Sequence, residues 1–141
     1  MQRISQIMSQ DIVQVAPTDT IHHAAQLMAK HDVGALPVCD GPRVVGMVTD
    51  RDLVTRALAS GKDGAASVRE VTSVPIATCR AHEGVDVVLQ RMASTQMRRM
   101  PVISPDLRLV GMVSIGDVAT RCGVSERSAI GETLDYASQP R

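Results

Sequence analysis

The pattern of apolar and polar positions predicts a helix followed by a hairpin in the first half of the chain. Apolar side chains recur at helical spacing from Ile21 to Met28, directly after Thr20, which is a favoured N-cap residue. Two short apolar runs follow at residues 35–39 and 44–48, and the turn residues Asp-Gly-Pro separate them. Short apolar runs on either side of a turn are typical of paired, buried strands.

Further elements flank this hairpin. Alternation over residues 12–15 predicts a short strand, which Pro17 stops. The first helix is expected to run through His31 and to be terminated by Gly34, and a second helix is expected from about Asp50 to Ala59. The predicted order in the first half is therefore β-α-β-β-α.

The second half of the chain predicts the same order of elements. The pattern indicates a strand at residues 76–79, a helix at 85–96, strands at 100–103 and 109–113, and a helix that ends at Gly123. A mixed α/β fold of the α+β kind is expected, with the two β-α-β-β-α copies related by pseudo-twofold symmetry.

The residues repeat as well as the pattern. Between residues 45–57 and 110–122, seven of thirteen aligned positions are identical, which is too many for two unrelated segments. We therefore divide the chain into a first repeat at residues 1–64, a second at 65–124 and a tail at 125–141. A helix is expected within the tail, although Gly131 weakens it by about 1 kcal/mol.

Composition narrows the possible partners. Fifteen Lys and Arg balance fifteen Asp and Glu among 141 residues, so charge favours neither nucleic acid nor an anionic membrane as partner. One Tyr and no Phe or Trp leave no aromatic platform for stacking. No apolar run reaches the length of a membrane span, and the N-terminus lacks the apolar stretch of a signal peptide. A cytoplasmic protein is expected.

Metal and nucleophile chemistry find little support in the sequence. Cys39, Cys79 and Cys122 lack CxxC spacing and are expected to be free thiols in a reducing compartment. No two of the four His have the i, i+4 spacing, with an acidic partner, that a zinc site requires, so no metal site is expected. No nucleophile is accompanied by a base, so no enzyme is expected.

The corner between the second hairpin strand and the following helix carries polar residues in both repeats. Thr49 and Asp52 occupy the N-cap and third helical positions in the first repeat, and Ser114 and Asp117 do so in the second. This spacing fits a capping box that needs no ligand. It also fits a ribose-phosphate site, because a hydroxyl can donate to phosphate and a carboxylate can accept from both ribose hydroxyls.

The combination of motifs resembles the CBS domain, named for cystathionine β-synthase. Gly34-Ala35-Leu36-Pro37-Val38 and residues 46–52 carry the resemblance in the first repeat, and Arg98-Arg99-Met100-Pro101-Val102 and residues 111–117 carry it in the second. A tandem pair is similar to a Bateman module, and the chain resembles small stand-alone bacterial CBS-pair proteins, some of which are linked to stress responses.

The resemblance implies a regulatory module that binds an adenosine-containing ligand in a cleft between its two copies. AMP and ATP are favoured, and ADP, NAD and S-adenosylmethionine remain open. The positions that match the family's ribose-phosphate motif, adenine flank and pocket wall are Thr49, Asp52, Ser114, Asp117, Ile12, Val13, Val15, Ile76, Ala77, Gly34, Ala35 and Leu36. Arg98 and Arg99 replace Gly34 and Ala35 in the second repeat, where basic residues of the family often reach phosphate, so two unequal sites are expected.

Several questions stay open at this point. The resemblance implies a homodimer and an unidentified protein partner that receives the signal. The alternative is a ligand-free stress-response or protein-interaction module, in which both corners serve only as helix caps. The residues do not discriminate among the adenosine ligands, because ribose and phosphate are common to all of them.

Overall fold

The computed structural model of the chain describes residues 2–74 and 76–121, and these form two compact units. The first unit spans Val13–Ile76, and the second joins residues 2–12 to residues 77–121. The expected tail helix lies outside the described residues. No helix in the described part of the chain is long and apolar enough to cross a bilayer.

The first unit contains a hairpin and two helical segments. Helix α1 (Ile21–His31) is followed by strands β1 (Ala35–Asp40) and β2 (Arg43–Thr49), which pair antiparallel. Helix α2 (Asp50–Asp52) continues directly as a π-helix over Leu53–Leu58. The amide of Ala59 accordingly donates to the carbonyl of Val54 at 2.9 Å, five residues back.

The second unit repeats these elements. Helix α3 (Val85–Thr95) precedes strands β3 (Arg99–Ile103) and β4 (Leu109–Ser114), which also pair antiparallel, and helix α4 (Ile115–Arg121) follows. Both hairpins contain a register irregularity at matching positions, after Val38 and after Val102. The predicted mixed fold with two hairpins and flanking helices is confirmed.

The leading strands that the alternation predicted are each reduced to one parallel bridge. Val15 bridges Val38, and Cys79 bridges Val102. Pro17 follows Val15 within two residues and has no amide to donate, so the ladder does not extend there. The prediction of extended strands at 12–15 and 76–79 was wrong in length, although each single pairing adds a third backbone segment beside its hairpin.

The first helix ends at His31 as predicted, but Asp32 and not Gly34 is its left-handed C-cap residue. Asp32 takes the left-handed conformation with φ of 53°, and its amide donates to the carbonyl of Met28. Gln96 does the same after α3 with φ of 56°. An Asp side chain tolerates this conformation, so the expected glycine is not needed as the cap.

The leading segment of each repeat packs on the body of the other repeat. Ile4 and Ile7 are fully buried in the core of the second unit, and Val68 and Val71 are fully buried in the core of the first unit. The same exchange recurs at the helix starts, where the α1 amide of Ile21 donates to a carbonyl at residue 66 and the α3 amide of Val85 donates to a carbonyl at residue 2. Each unit therefore combines residues from both repeats.

In each hairpin a glycine allows the leading segment of the other repeat to pass close to the second strand. We call the part that passes there the crossing segment. A side chain at Gly46 would place its Cβ 2.2 Å from Thr72 Cγ2 and 3.1 Å from the Ser73 carbonyl oxygen. A side chain at Gly111 would place its Cβ 2.7 Å from Met8 Sδ and 3.1 Å from the Ser9 carbonyl oxygen. The glycine in the repeated Val-Gly-Met-Val strand is thus explained by the close approach of the crossing segment.

Methionine residues contribute to both cores, as their apolar neighbours predict. Met28 belongs to the first core cluster, while Met92 and Met100 are fully buried in the second and Met97 packs against it. Cys39 and Cys79 are free and buried, and burial raises their pKa values to about 11 and about 12. Both are therefore protonated, unreactive thiols at neutral pH.

An ion pair distinguishes the second unit from the first. The Arg91 guanidinium donates to both Glu83 carboxylate oxygens, at 2.9 and 2.6 Å, and also to the Thr78 carbonyl oxygen at 2.9 Å. Leu27 occupies the matching position in the first repeat, so the fold does not require the pair. The hydrogen bonds from Arg91 lower the pKa of Glu83 from 4.5 to about 2.

Acid is expected to weaken the protein through this pair. Because the folded-state pKa of Glu83 is depressed, its stabilisation is complete above pH 4.5 and is lost as the pH falls towards 2. The side chains are 20% and 31% exposed, so the loss is about 2 kcal/mol after allowance for screening by solvent. Urea unfolding of wild type and Arg91→Leu between pH 7 and pH 2.5 measures it.

Arg91→Leu should be less stable than wild type at neutral pH, and its free energy of unfolding should change less with pH below pH 5. Lys62→Met is the matched control, since it removes the more exposed Lys62–Glu70 pair. Parallel pH profiles for wild type and Arg91→Leu would contradict the assignment of acid sensitivity to Glu83.

Candidate functional site

The first corner is built by the end of β2 and the start of α2. Thr49 has an extended backbone, and its hydroxyl oxygen accepts a hydrogen bond from the Asp52 amide at 3.1 Å. The Asp52 carboxylate in turn accepts from the Thr49 amide at 2.9 Å. The predicted capping box is confirmed, and it fixes the positions of the hydroxyl and the carboxylate relative to each other.

Two further side chains reach the Asp52 carboxylate. The Ser73 hydroxyl lies 3.4 Å from each carboxylate oxygen, and the Arg56 guanidinium lies 3.6 Å from Oδ1. Asp52 is 8% exposed and is the one buried charged residue in the described part of the chain. Its negative charge therefore faces donors from three different segments of the first unit.

The second corner reproduces the capping box with fewer neighbours. The Ser114 hydroxyl oxygen accepts from the Asp117 amide at 3.0 Å, and the Asp117 carboxylate accepts from the Ser114 amide at 2.9 Å through Oδ2. Among residues 2–74 and 76–121, no other hydrogen bond or ion pair is made by the Asp117 carboxylate. Asp117 is half-buried.

The start of each first hairpin strand lies beside its corner. Ala35 pairs with Thr49 across the first hairpin, and Arg99 pairs with Ser114 across the second. Paired residues of an antiparallel ladder project from the same face, so the Arg99 side chain shares a face with the Ser114 hydroxyl. The preceding residues tie the helix starts to the strands, because the carbonyls of Gly34 and Arg98 accept from the first amides of α2 and α4.

Arg99 carries a buried donor without an acceptor. Its Nε atom is shielded from solvent and has no hydrogen-bond partner in the described structure. An unsatisfied buried donor costs about 1–3 kcal/mol. The second corner therefore combines a hydroxyl, a carboxylate with a spare oxygen and an unused cationic donor.

The expected adenine-flanking residues are divided between the two units. Val13, Val15 and Ile76 belong to the first unit, whereas Ile12 and Ala77 belong to the second. Val15 and Leu36 are each 1% exposed and pack in the first core, so they present almost no surface to a ligand. Ile12, Val13, Ile76 and Ala77 are half-buried.

Sequence reasoning missed two residues at the first corner. Ser73 is 21 residues from Asp52 and belongs to the leading segment of the second repeat, so only the exchange of segments brings it there. Arg56 stands four residues after Asp52, and this i, i+4 spacing of opposite charges was the available signal. No group of three potential metal ligands occurs in the described part of the chain.

A shallow depression of about 350 Å³ lies on the helical side of the first corner, where Asp50, Arg51, Val54 and Thr55 line it. The Thr55 hydroxyl already donates to the Arg51 carbonyl at 2.8 Å. This depression includes neither Thr49 nor Asp52 in its described lining, so we do not assign the site to it.

Comparison with known proteins bears on the repeats directly. The family model of the CBS domain matches residues 4–59 and again residues 68–122. The chain is 38% identical over 119 residues to the CBS domain-containing protein YhcV of Bacillus subtilis, and the match covers 84% of each chain.

Two solved structures are similar in fold. Hypoxic Response Protein I, described with two coordinated zinc ions, matches with a TM-score of 0.80 and 39% identity over 86% of this chain and 100% of that one. The CBS domain pair of protein MJ0100, in complex with 5′-methylthioadenosine and S-adenosyl-L-methionine, matches with a TM-score of 0.76 and 26% identity over 85% of this chain and 94% of that one.

Proposed function

This chain belongs to the CBS-domain family, and from that premise we propose that it is a regulatory module that binds an adenosine-containing ligand. In this proposal the protein is non-catalytic, homodimeric and cytoplasmic. Its response to the ligand is passed on to another protein. AMP or ATP is the favoured ligand, and S-adenosylmethionine, ADP and NAD are the other candidates.

The observation that carries the proposal is the unsatisfied Arg99 Nε beside the Ser114–Asp117 corner. A phosphate oxygen accepts hydrogen bonds from an arginine donor strongly, because both groups are charged. Because the Nε atom is shielded from solvent, the Arg99 side chain must turn to reach an anion, and the new bond would then recover the cost of the buried donor. The structural role of the corner as a helix cap does not account for this arginine.

Roles for the other groups of the second corner follow from the hydrogen-bonding capacity that the capping box leaves unused. The Ser114 oxygen accepts from an amide, which leaves its hydroxyl hydrogen to donate to a phosphate. Asp117 uses Oδ2 for the Ser114 amide, which leaves Oδ1 to accept from ribose hydroxyls. The half-buried aliphatic residues Ile12 and Ala77 would contact adenine without stacking.

The ligand class is supported by a relative. The CBS domain pair of MJ0100 was solved with two adenosine derivatives at 26% identity to this chain. Regulation would follow by population shift, since a ligand stabilises whichever conformation it binds more tightly. Homodimers with twofold symmetry are the commonest oligomers, which fits the proposed assembly.

A ligand panel tests the proposal. Thermal unfolding is measured with AMP, ADP, ATP, NAD, S-adenosylmethionine, 5′-methylthioadenosine and Zn²⁺, and native mass spectrometry reports the oligomer and any co-purified nucleotide. A ligand at 100 times its Kd stabilises the folded state by about 2.7 kcal/mol, which raises the Tm by several degrees. We expect at least one adenosine compound to do so.

The alternative is a ligand-free interaction or stress-response module. Both corners are complete capping boxes without any ligand, which is the observation that favours it. A flat response to every adenosine compound at millimolar concentration, with no co-purified nucleotide, would support this alternative over the proposal.

A further inference from the structure

The last arginine of each corner helix differs in its partner, although the sequence repeats it. Arg56 and Arg121 occupy matching positions in the two repeats. Arg56 lies 3.6 Å from Asp52 Oδ1. Arg121 instead donates to the carbonyl oxygens of Ile7 and Met8, at 3.2 and 3.5 Å. The first corner therefore has an internal cation on its carboxylate, whereas the Arg121 cation is used elsewhere.

The matching serines differ in the same way. Ser73 and Ser9 each form an antiparallel bridge with the second strand of a hairpin, at Met47 and at Met112. The Ser73 hydroxyl lies 3.4 Å from both oxygens of Asp52. Within the described residues, no hydrogen bond joins Ser9 to Asp117. The two corners thus share a capping box and differ in what else contacts the carboxylate.

From this difference we infer that Arg56 and Ser73 act as an internal clamp on Asp52, which makes the second corner the site of higher affinity. The inference rests on the proposed function. An adenosine ribose must displace both side chains before it can take the Asp52 carboxylate, while Asp117 Oδ1 accepts a ribose hydroxyl without any such exchange. Arg56 and Ser73 are positioning residues that set the affinity of the first corner.

Magnitudes follow from the kind of contact. The Arg56–Asp52 pair is an i, i+4 contact with an arginine that is 53% exposed, so its loss should change ligand affinity about twofold. The Ser73 hydroxyl makes a hydrogen bond to a charged group at a long distance, and its loss should change affinity about fivefold. Removing both is expected to raise the affinity of the first corner about tenfold.

Adenosine is the suitable probe, because it carries the ribose and no phosphate that Arg56 could attract. Isothermal titration of the full chain is carried out in an Asp117→Asn background, where the first corner dominates binding. We expect Arg56→Met together with Ser73→Ala to bind adenosine about tenfold more tightly than the background does. Arg56→Lys with Ser73 intact should stay at the background affinity, because a cation is kept at that position.

Matched controls isolate the clamp. Ser9→Ala removes the equivalent hydroxyl in the other repeat, and Arg108→Met removes a cation from the exposed turn before β4, at the far end of that strand from Ser114. Neither should change adenosine affinity in the Asp117→Asn background. The Tm of every variant is measured, since a merely structural role would alter stability and leave affinity unchanged.

The outcomes separate this inference from the proposed function. Unchanged or weaker adenosine binding in the double variant overturns the clamp, provided that the wild type binds adenosine. The single variants Asp52→Asn and Asp117→Asn are also compared in the otherwise wild-type chain. If Asp52→Asn weakens adenosine binding more than Asp117→Asn does, the clamp is overturned. Failure of the wild type and of every variant to bind any adenosine compound of the ligand panel would instead overturn the proposed function, on which the clamp rests.

Discussion

Gly46→Ala is expected to destabilise the protein by about 3 kcal/mol. The new Cβ would lie 2.2 Å from Thr72 Cγ2 and 3.1 Å from the backbone carbonyl oxygen of Ser73, so the crossing segment must shift. A β-branched Thr side chain moves with its backbone, because its rotamer is restricted. Urea unfolding of wild type and variant at pH 7 measures the loss.

Gly111→Ala provides the comparison within the same molecule. Its new Cβ would lie 2.7 Å from Met8 Sδ, which is near the end of a flexible side chain that can rotate away. We expect a loss of about 1 kcal/mol. The effect of alanine on the unfolded chain is common to both variants, so the difference between them reports the crossing contacts.

Thr72→Ser tests the contact itself. It removes the Cγ2 methyl group and keeps the hydroxyl that donates to the Val68 carbonyl at 2.7 Å. In the Gly46→Ala background this change should restore most of the lost stability, whereas alone it should be mildly destabilising. Equal losses for Gly46→Ala and Gly111→Ala, with no recovery from Thr72→Ser, would show that the close approach does not control stability.

Asp117→Asn is expected to lower AMP affinity about 30-fold. Loss of a hydrogen bond to a charged group costs about 2 kcal/mol of binding free energy, which corresponds to about a 30-fold change in Kd. The Asn carbonyl oxygen can still accept from the Ser114 amide, so the helix start is kept while the charge is lost. Isothermal titration with AMP measures the affinity, and circular dichroism checks the fold.

Asp52→Asn is the paired variant at the first corner. If the second corner has the higher affinity, Asp52→Asn should leave the tighter AMP binding within about twofold of wild type. If Asp52→Asn, Asp117→Asn and the variant that combines these two changes all bind AMP with wild-type affinity, these carboxylates do not belong to the proposed site.

The local structure was predictable because its contacts join residues that are close in sequence. Thr49 and Asp52 are three residues apart, and so are Ser114 and Asp117; both capping boxes form as their spacing predicts. The hairpins follow from apolar runs around a short turn. The end of α1 at His31 was predicted correctly, whereas its left-handed C-cap residue is Asp32 and not the expected Gly34.

The sequence and the structure indicate a difference between the two corners through different residues. Arg98 and Arg99 in place of Gly34 and Ala35 signalled the difference, and Arg99 does carry an unsatisfied buried donor. The partners of Arg56 and Arg121 gave no such signal, because the two residues are identical and stand at matching positions. Arg56 makes the i, i+4 contact that the spacing offers to both arginines, whereas Arg121 donates to Ile7 and Met8, which are distant along the chain.

Duplication, the order of elements and the chemistry of each corner follow from the amino-acid sequence, since apolar spacing, turn residues and caps act over a few residues. Which leading segment packs on which body was decided only in three dimensions. Ile4 and Ile7 have the same spacing as Val68 and Val71, so either pair offers similar apolar groups to either core. The choice depends on long-range packing and on the path of the connecting chain, and local periodicity contains neither.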